Sequence, residues 1–351
     1  MKKLKFFFLS LLVFFVSIFT ILFCYTEYLK YVKYKDTQII KLQGGLGNQL
    51  YQVAYGITLE KEYGKKVKYD LRSLRYEKKA KKKRIWVDYY FDKFNIDDLD
   101  IYNPNNQIEY LIVRRFLKAK CNKYFYDYDQ SCFTKGVYFA EHYFENPKYF
   151  EKHMPDIINA FTKLNKKYEY ELDDRNKQLI KEMQSHKNSV VVNIRLGDFL
   201  VIKELNICNF DYYKKAMNVF NNMEDVHYYI FSDDIEGAKK YFKTNKPHTF
   251  VDINPLEKPY LNLILSSNAK HNISSNSTFA IWAAMLNSNP NKIVVCPNLF
   301  IKLTDKVHID IYNYSKQIYP DNWIKIDVSK DKPIQLQEIK TKFNSEFFCK
   351  K

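Results

Sequence analysis

The strongest constraint on the fold is a regular alternation of short apolar strands and helices from Ser189 onward. Alternation of this kind predicts an α/β fold with a parallel sheet and helices on both faces. The predicted helices include residues 210–222 and 235–242. The predicted strands are residues 190–194, 228–231, 249–251, 272–274 and 292–296.

A second α/β unit is predicted nearer the start of the chain. Residues 37–43 have a strand pattern, a glycine loop follows at residues 44–49, and a helix follows at residues 50–63. The next predicted strand ends at Asp70. Glycines in such a turn let the backbone approach a ligand closely, although a tight turn alone explains them equally well. The loop lacks the third glycine of a dinucleotide fingerprint and the Gly-Lys-Ser/Thr of a P-loop.

The 20 residues from Phe6 to Tyr25 carry no charge, so a helix here is long enough to span a bilayer. A cleaved signal peptide is the alternative, but no small-x-small cleavage site follows. We expect a single-pass type II membrane protein, in the Golgi membrane of a eukaryote, or at the inner membrane or its cytoplasmic face in a bacterium. The chain then divides into a cytoplasmic tail (1–5), an anchor (6–25), a stem (26–36), two lobes (37–186 and 187–328) and a tail (329–351).

Asn276, Ser277 and Thr278 lie between a predicted strand and an Ala-rich helix that carries Trp282. Free backbone N–H groups and small hydroxyls converge at the positive end of a helix, which suits a phosphate or diphosphate. A simple helix N-cap is the alternative interpretation.

Another candidate ligand site follows the predicted strand at residues 190–194, which ends in Arg195 with Asp198 three residues later. A guanidinium at this end of a strand suits an anionic ligand in the crevice of an open α/β sheet. A salt bridge between the two side chains is the alternative. Upstream, residues 136–144 interleave aromatic rings with Glu141 and His142, which suits a sugar but also core packing.

These blocks, in this order and spacing, resemble the α-1,2-fucosyltransferases of glycosyltransferase family 11 over about residues 37–328. The ordered set of motifs carries the resemblance. Its members are Gly-Gly-Leu-Gly-Asn-Gln at 44–49, the strand ending in Asp70, Glu-x-Tyr-Phe at 141–144, Arg195 with Asp198, Phe-Ser-Asp-Asp at 231–234, Asn-Ser-Thr-Phe at 276–279 and Tyr-Pro-Asp-x-Trp at 319–323.

The resemblance implies two Rossmann-like lobes of the GT-B type, with the active site in the cleft. It implies an inverting transfer of L-fucose from GDP-fucose to the 2-hydroxyl of a terminal galactose on a glycan. The expected catalytic residues are Arg195, Asp198 and Asn48, and Asp198 and Asp70 are the carboxylates considered as proton acceptors. Donor binding is expected at Gly44, Gly45, Gly47, Arg195, Ser232, Asp233, Asn276, Ser277 and Thr278. The expected acceptor-side residues are Asp70, Glu141, His142 and Tyr143.

Two positions depart from the family pattern. Asn193 stands where the family has His, and Leu196 stands where it has a second Arg. The first change removes a titratable group and the second removes a positive charge. Two alternatives therefore stay open: a catalytically weakened family member that acts as a carbohydrate-binding membrane protein, and a transferase of altered linkage.

The net charge of +16 is compatible with nucleic acid, a membrane surface or a nucleotide donor. The one dense basic run, at residues 78–84, is interpreted as a solvated loop, and no nucleic-acid partner is expected. Asp98-x-Asp100 and Asp127-x-Asp129 would suit a metal-dependent transferase but lie outside clear strand ends. Because Arg195 and a helix end are expected to neutralise the leaving diphosphate, we expect no metal and no other cofactor.

Overall fold

The computed structural model describes residues 2–74, 88–118, 127–133, 138–302 and 316–335. Within them, two separate parallel sheets with helices packed against them form an α/β fold. This confirms the predicted α/β fold with parallel sheets. The predicted solvated loop at residues 78–84 lies outside the described residues.

The elements are numbered here in chain order. The helices are α1 (Lys2–Tyr28), α2 (Leu46–Tyr63), α3 (Gln107–Phe116), α4 (Met154–Phe161), α5 (Asp174–Ser185), α6 (Phe210–Asn218), α7 (Ile235–Tyr241), α8 (Pro259–Ser266) and α9 (Thr278–Met285). The strands are β1 (Thr37–Lys41), β2 (Lys66–Asp70), β3 (Phe139–Ala140), β4 (Asn188–Ile194), β5 (Val226–Ser232), β6 (His248–Phe250), β7 (His271–Ile273), β8 (Val294–Pro297) and β9 (Ile324–Ile326).

The larger sheet has the order β6-β5-β4-β7-β8-β9, and every neighbouring pair is parallel. Counted from β4, this is the 3-2-1-4-5-6 order of the doubly wound fold, in which ligands bind where the strand order reverses. Here that point lies between β4 and β7. Both faces are buried: Val190 and Val192 pack into one hydrophobic cluster, whereas Val191 packs into another with Leu179 of α5 and Leu265 of α8.

The smaller sheet has the order β2-β1-β3 and is also parallel. Ile40 of β1 packs on α2, whereas its neighbour Ile39 faces a cluster formed with α3. The sequence predicted β1 and β2 but not α3 or β3, because residues 71–145 read as irregular. The missed signal for α3 is Asn106, whose side chain accepts a hydrogen bond from the Glu109 backbone N–H and caps the helix.

One of the hydrophobic clusters spans both sheets, since it contains Ile40 of β1 and Val294 of β8. It includes Trp282 of α9, whose side chain is fully buried. The Trp282 ring lies 5.0 Å from the ring of Tyr51 in α2 and stacks on Phe150 at 5.2 Å. Helices α2 and α9 therefore pack directly together, and their N-terminal ends are held in a fixed relation.

Helix α1 is joined to the rest of the protein at its C-terminal end. A π-helical turn, Leu29–Lys33, follows it. Lys33 Nζ in this turn forms an ion pair, at 2.7 Å, with the fully buried carboxylate of Glu109 in α3. The hydroxyls of Tyr34 and Tyr25 also donate to this carboxylate. Burial alone would raise the pKa of Glu109, but the hydrogen bonds from Lys33 and Tyr34 outweigh it and lower the pKa. A charged carboxylate thus ties α1 to α3.

Candidate active site

A cleft of about 480 Å³ lies between the carboxyl ends of the strands of both sheets. The chain reaches it from the first sheet after β1 and β3, and from the second sheet after β4, β5, β7 and β8. The polar residues that line it are Asn48, Tyr143, Glu145, Asn193, Arg195, Asp198, Ser232, Asp233, Asn262, Ser275, Ser277 and Thr278, together with Gly44, Gly45 and Gly47.

The glycine motif is only partly a loop. Gly44 has a φ of +77°, a conformation that favours glycine, and Gly45 caps helix α2, which begins at Leu46 rather than at the predicted residue 50. The free N–H groups of the first turn therefore lie at the cleft. Gln49 is fully buried and donates to the Gly44 carbonyl at 2.9 Å, so it braces the turn from behind.

The N-terminal ends of α2 and α9 meet at this wall of the cleft. The Thr278 hydroxyl donates to Asn48 Oδ1 at 2.6 Å. Gly47 is required by the close approach, because a Cβ there would lie 2.5 Å from the Phe279 backbone nitrogen and 2.6 Å from Thr278 Oγ1. Two helix N-termini thus converge beside the cleft, as an anionic ligand would need.

The Gly47→Ala variant is expected to be destabilised and to lose affinity for an anionic ligand, because its methyl group would push α2 and α9 apart. Overpacking of this kind costs about 1–3 kcal/mol. Thermal unfolding and ligand titration measure the two effects. Gly64→Ala is the control: no atom lies within 4 Å of its added Cβ but its φ is +60°, so it should lose stability and keep ligand affinity. Equal loss of affinity in both variants would contradict this role of Gly47.

Arg195 follows β4 directly and is held by two carboxylates. Its Nη2 donates to Asp198 at 2.7 Å, and its Nη1 lies 3.2 Å from Asp233 after β5. The register that pairs Ile194 with Ser232 sets Arg195 and Asp233 side by side. Burial would lower the pKa of Arg195, but the two carboxylates outweigh it and raise the pKa, so the guanidinium stays charged. The salt bridge weighed as an alternative for Arg195 is therefore present, and it lies in the cleft.

Asp233 makes a second contact with the chain that follows β4. Its other carboxylate oxygen accepts from the Leu196 backbone N–H at 2.9 Å. Burial raises the pKa of Asp233 and the facing guanidinium of Arg195 only partly offsets this. Its neighbour Asp234 caps α7 through the Gly237 backbone N–H at 2.9 Å. Ser232, which was predicted to bind the donor, lines the cleft, and its hydroxyl accepts a hydrogen bond from the Asp234 backbone N–H.

The two departures from the family pattern have different surroundings. Leu196 is fully buried in the hydrophobic core and is absent from the cleft lining. Asn193 is 5% exposed and lines the cleft, and its side-chain amide nitrogen has no hydrogen-bond partner among the described residues. A buried donor without a partner is costly unless a ligand completes it. Asn193, which stands where the family has His, therefore still offers a hydrogen-bond donor to a ligand in the cleft.

The junction before α9 is built differently from the prediction. Asn276 is 1% exposed and does not line the cleft, because its amide donates inward to the carbonyls of Leu205 and Phe300 at 2.9 and 3.0 Å. It holds the loops together rather than facing a ligand. Ser277 and Thr278, which were predicted to bind the donor, line the cleft. Ser275 was not predicted from the sequence as a site residue. It lines the cleft, and its buried hydroxyl has no hydrogen-bond partner among the described residues.

Three of the four expected acceptor-side residues do not line the cleft. Asp70 is 1% exposed beside Arg72, and burial raises its pKa. The Glu141 carboxylate is turned toward Lys41, at 2.5 Å, and two further cations, Arg114 and Lys118. His142 is buried and accepts the Phe144 backbone N–H at its Nδ1. Only Tyr143 reaches the cleft.

Glu145 is the cleft carboxylate that the sequence did not predict. It follows the Glu-x-Tyr-Phe motif directly, is 4% exposed and lines the cleft from the side of the first sheet. No hydrogen bond or ion pair to its carboxylate occurs within the described parts of the chain. Burial raises the pKa of Glu145 to about 8. Its position directly after the motif was the available signal, but the aromatic neighbours favoured an interpretation of this stretch as core packing.

The acidic pairs that would suit a metal lie elsewhere. Asp100 is paired with Lys68 at 2.5 Å, and Asp129 accepts the Ser131 backbone N–H in a turn. Over the described ranges, no group of three or more His, Cys, Asp or Glu side chains is placed to hold a metal ion.

The sequence is similar to known proteins over most of its length. Residues 37–327 match the family described as Glycosyl transferase family 11. An α-1,2-colitosyltransferase of Escherichia coli is 28% identical over 311 residues, covering 82% of this chain and 98% of that protein. The O-antigen biosynthesis glycosyltransferase WbnK of Escherichia coli is 25% identical over 320 residues, covering 81% of this chain and 99% of that protein. Among solved structures, fucosyltransferase NodZ from Bradyrhizobium is 12% identical with a TM-score of 0.40, covering 71% of this chain and 91% of that chain.

Proposed function

Because the chain belongs to glycosyl transferase family 11, we propose that it moves L-fucose from GDP-fucose to the 2-hydroxyl of a terminal galactose on a glycan, with inversion of the anomeric carbon. The observation that carries the proposal is the placement of Arg195 and the N-terminus of α9 on either side of the β4–β7 switch point. A cation and free backbone N–H groups at that crevice suit the diphosphate of a nucleotide sugar.

The donor diphosphate lies, in this proposal, between Arg195 and the first turn of α9, with Ser277 and Thr278 as hydroxyl partners. The first turn of α2 closes the same site from the other sheet and brings Asn48 toward the sugar. The amide of Asn193 donates to an oxygen of the donor substrate, since it is a buried hydrogen-bond donor at this wall without a partner among the described residues. These contacts stabilise the charge that develops on the leaving phosphate.

The proton acceptor is, in this proposal, Glu145 rather than Asp198 or Asp70. Asp198 is engaged with Arg195, and Asp70 lies outside the cleft lining. The Glu145 carboxylate faces the cleft from the opposite side to Arg195 and its acceptor capacity is unused by the described residues. Tyr143 beside it offers an aromatic ring and a hydroxyl to the acceptor sugar.

The reaction then balances without another reactant. The galactose oxygen forms a bond to the anomeric carbon of fucose while the bond from that carbon to the GDP phosphate oxygen breaks. The bonding electron pair leaves with GDP, whose charge Arg195 and the α9 N-terminus stabilise. The hydroxyl proton passes to Glu145. General-base assistance of this kind contributes about 10²–10⁴-fold to the rate.

Transfer is expected to persist at full rate in the presence of EDTA. Arg195 and two helix N-termini supply the positive potential that a divalent ion gives to metal-dependent transferases. Initial rates with and without chelator, on enzyme previously dialysed against chelator, measure this. Complete loss of transfer that manganese restores would contradict a metal-free site.

One comparison supports GDP-colitose as an alternative donor to GDP-fucose, because the α-1,2-colitosyltransferase of Escherichia coli aligns with this chain over nearly its whole length. Colitose lacks one ring hydroxyl of fucose. A site that hydrogen-bonds that hydroxyl rejects the deoxy sugar by about 10⁴–10⁵-fold, whereas an apolar pocket separates the two by only about 10²-fold. The ratio of kcat/KM for the two GDP-sugars therefore distinguishes a fucosyltransferase from a colitosyltransferase.

The function is tested by incubating the full chain with GDP-fucose, GDP-colitose, GDP-mannose and UDP-galactose in turn, each with a lactose-type acceptor. We expect GDP release coupled to a product whose mass rises by one deoxyhexose with GDP-fucose. Turnover with UDP-galactose in preference to every GDP-sugar would overturn the proposal. Glycan binding with no turnover of any donor would instead support the alternative of a weakened, carbohydrate-binding family member.

We further propose that α1 anchors the protein in a membrane. The helical stretch Lys3–Lys33 is long and apolar enough to cross a bilayer, and its apolar window has no buried residue. The side chains of Phe6, Phe14 and Phe23 are 74%, 61% and 58% exposed, which is unfavourable in water and favourable in lipid.

A further inference from the structure

The side of the protein next to the end of α1 carries an unusual set of exposed apolar side chains. Beyond the apolar stretch of α1, ten large hydrophobic side chains are exposed among the described residues. Six of the ten lie on the end of α1, the turn after it, and α3, and together they form what we name the α1–α3 surface. They are Tyr28, Tyr31, Val32, Ile108, Leu111 and Phe116, which are 48–69% exposed.

Helix α3 has two distinct faces. Its inner face buries Ile112, Val113 and Glu109 against the π-helical turn and β1, in the cluster that contains Leu29. Its outer face presents Ile108 and Leu111, which are 58% and 52% exposed. Residues three or four apart share one side of a helix, so these two side chains and Arg115 lie on one face.

The buried carboxylate of Glu109 fixes the position of α3 along the axis of α1. The hydroxyl of Tyr25, the last residue of the uncharged stretch, lies 3.2 Å from Glu109 Oε2, and Lys33 Nζ lies 2.7 Å from Oε1. A helix of about 20 apolar residues spans the hydrocarbon core, so Tyr25 would lie at the lipid–water boundary. The first turn of α3 is then at the same boundary.

The charges around the α1–α3 surface suit an anionic lipid surface. Lys30 lies 4.4 Å above the ring of Tyr31, while Arg115 is exposed near the end of α3. Tyr is enriched at the boundary between headgroups and acyl chains, and Phe and Leu are typical of the apolar face of helices that lie in it. Flanking Lys and Arg reach the headgroup phosphates.

From this placement we propose that the α1–α3 surface lies in the headgroup region of the membrane that α1 crosses, as a second contact with anionic phospholipid. The proposal rests on the membrane anchoring proposed for α1 and is independent of the reaction. The consequence is a fixed orientation, in which the body that carries the cleft lies against the membrane instead of swinging on a flexible stem.

The test uses the full chain in nanodiscs of phosphatidylcholine and phosphatidylglycerol, with single tryptophans introduced and acyl-chain brominated lipid as the quencher. The unsubstituted chain has three tryptophans and gives the background to subtract. Leu111→Trp and Ile108→Trp report on the surface, Tyr170→Trp and Ile324→Trp report on exposed apolar positions elsewhere, and Phe14→Trp reports on the anchor. The second surface probe guards against misfolding of the first.

We expect Leu111→Trp and Ile108→Trp to lose fluorescence to brominated lipid and to emit at shorter wavelength, as Phe14→Trp does, while the two distant probes do neither. Quenching of Phe14→Trp with no quenching of either surface probe would overturn the proposal and leave the anchor intact. Cross-linking of two copies through α3 in that case would assign the surface to a dimer. If Phe14→Trp is itself unquenched, both the anchor and the proposal fail.

Discussion

Arg195→Ala is expected to reduce kcat/KM for transfer by roughly 30- to 5,000-fold while leaving the fold intact. Losing one charged partner of a buried ionic contact costs about 2–5 kcal/mol, and 1.36 kcal/mol corresponds to a factor of ten. The structure adds a reason for a value toward the upper end. Without the guanidinium, Asp198 and Asp233 would face the diphosphate as two uncompensated carboxylates.

Arg195→Lys is expected to be nearly as poor, because an ammonium group cannot contact Asp198, Asp233 and the donor with one planar fork. Arg175→Ala is the matched control, since Arg175 also pairs with an aspartate, at 2.8 Å, but on the exposed surface. Steady-state kinetics with circular dichroism of each variant separate activity from folding. Near-normal transfer by a folded Arg195→Ala variant would remove the central residue of the proposed mechanism.

Glu145→Gln is expected to lower kcat by about 10²–10⁴-fold, the range for loss of a general base. Wild-type activity should rise with pH through the pKa of about 8 that burial gives Glu145, because the ionised carboxylate is the form that accepts a proton. The variant should lose that rising limb. This makes the pH profile a signature of proton transfer that a purely structural defect would not reproduce.

Added formate should restore part of the activity of Glu145→Ala, since it supplies a small carboxylate to the space left by the side chain. Glu151→Gln, at an exposed position in the same region, is the control and should keep both the rate and the pH profile of the wild type. If Glu145→Gln raises KM but leaves kcat and the pH dependence unchanged, Glu145 positions the acceptor and another group takes the proton.

The family and the α/β fold were predictable from sequence because they depend on order and periodicity. The motifs at Gly44, Arg195 and Thr278 follow β1, β4 and β7 in the order expected, and the family assignment made from them is confirmed. The loops after parallel strands lie at one edge of a sheet, so the residues after β4 and β7 of the larger sheet had to converge. Gly44 comes from the smaller sheet, and its approach to them was implied only by the family resemblance. The predicted β4, β5, β7 and β8 are present with small shifts at their ends.

Side-chain direction was not predictable in the same way. Asn276 and Thr278 stand two residues apart in one motif, yet the first points into loops at Leu205 and Phe300 and the second into the cleft. Glu141 and Glu145 flank the same aromatic pair, and three cations turn the first away from the cleft. Those partners come from β1, α3 and the residue pair after α3, which are distant in sequence, so the local pattern carried no information about them.

The most direct test of the central claim is NMR of the product formed by the full chain from GDP-fucose and a lactose-type acceptor. We expect a new α-anomeric fucose signal with a correlation to carbon 2 of the galactose. No fucosylated product, or fucose joined through a β-linkage or to another galactose position, would contradict the proposed transfer.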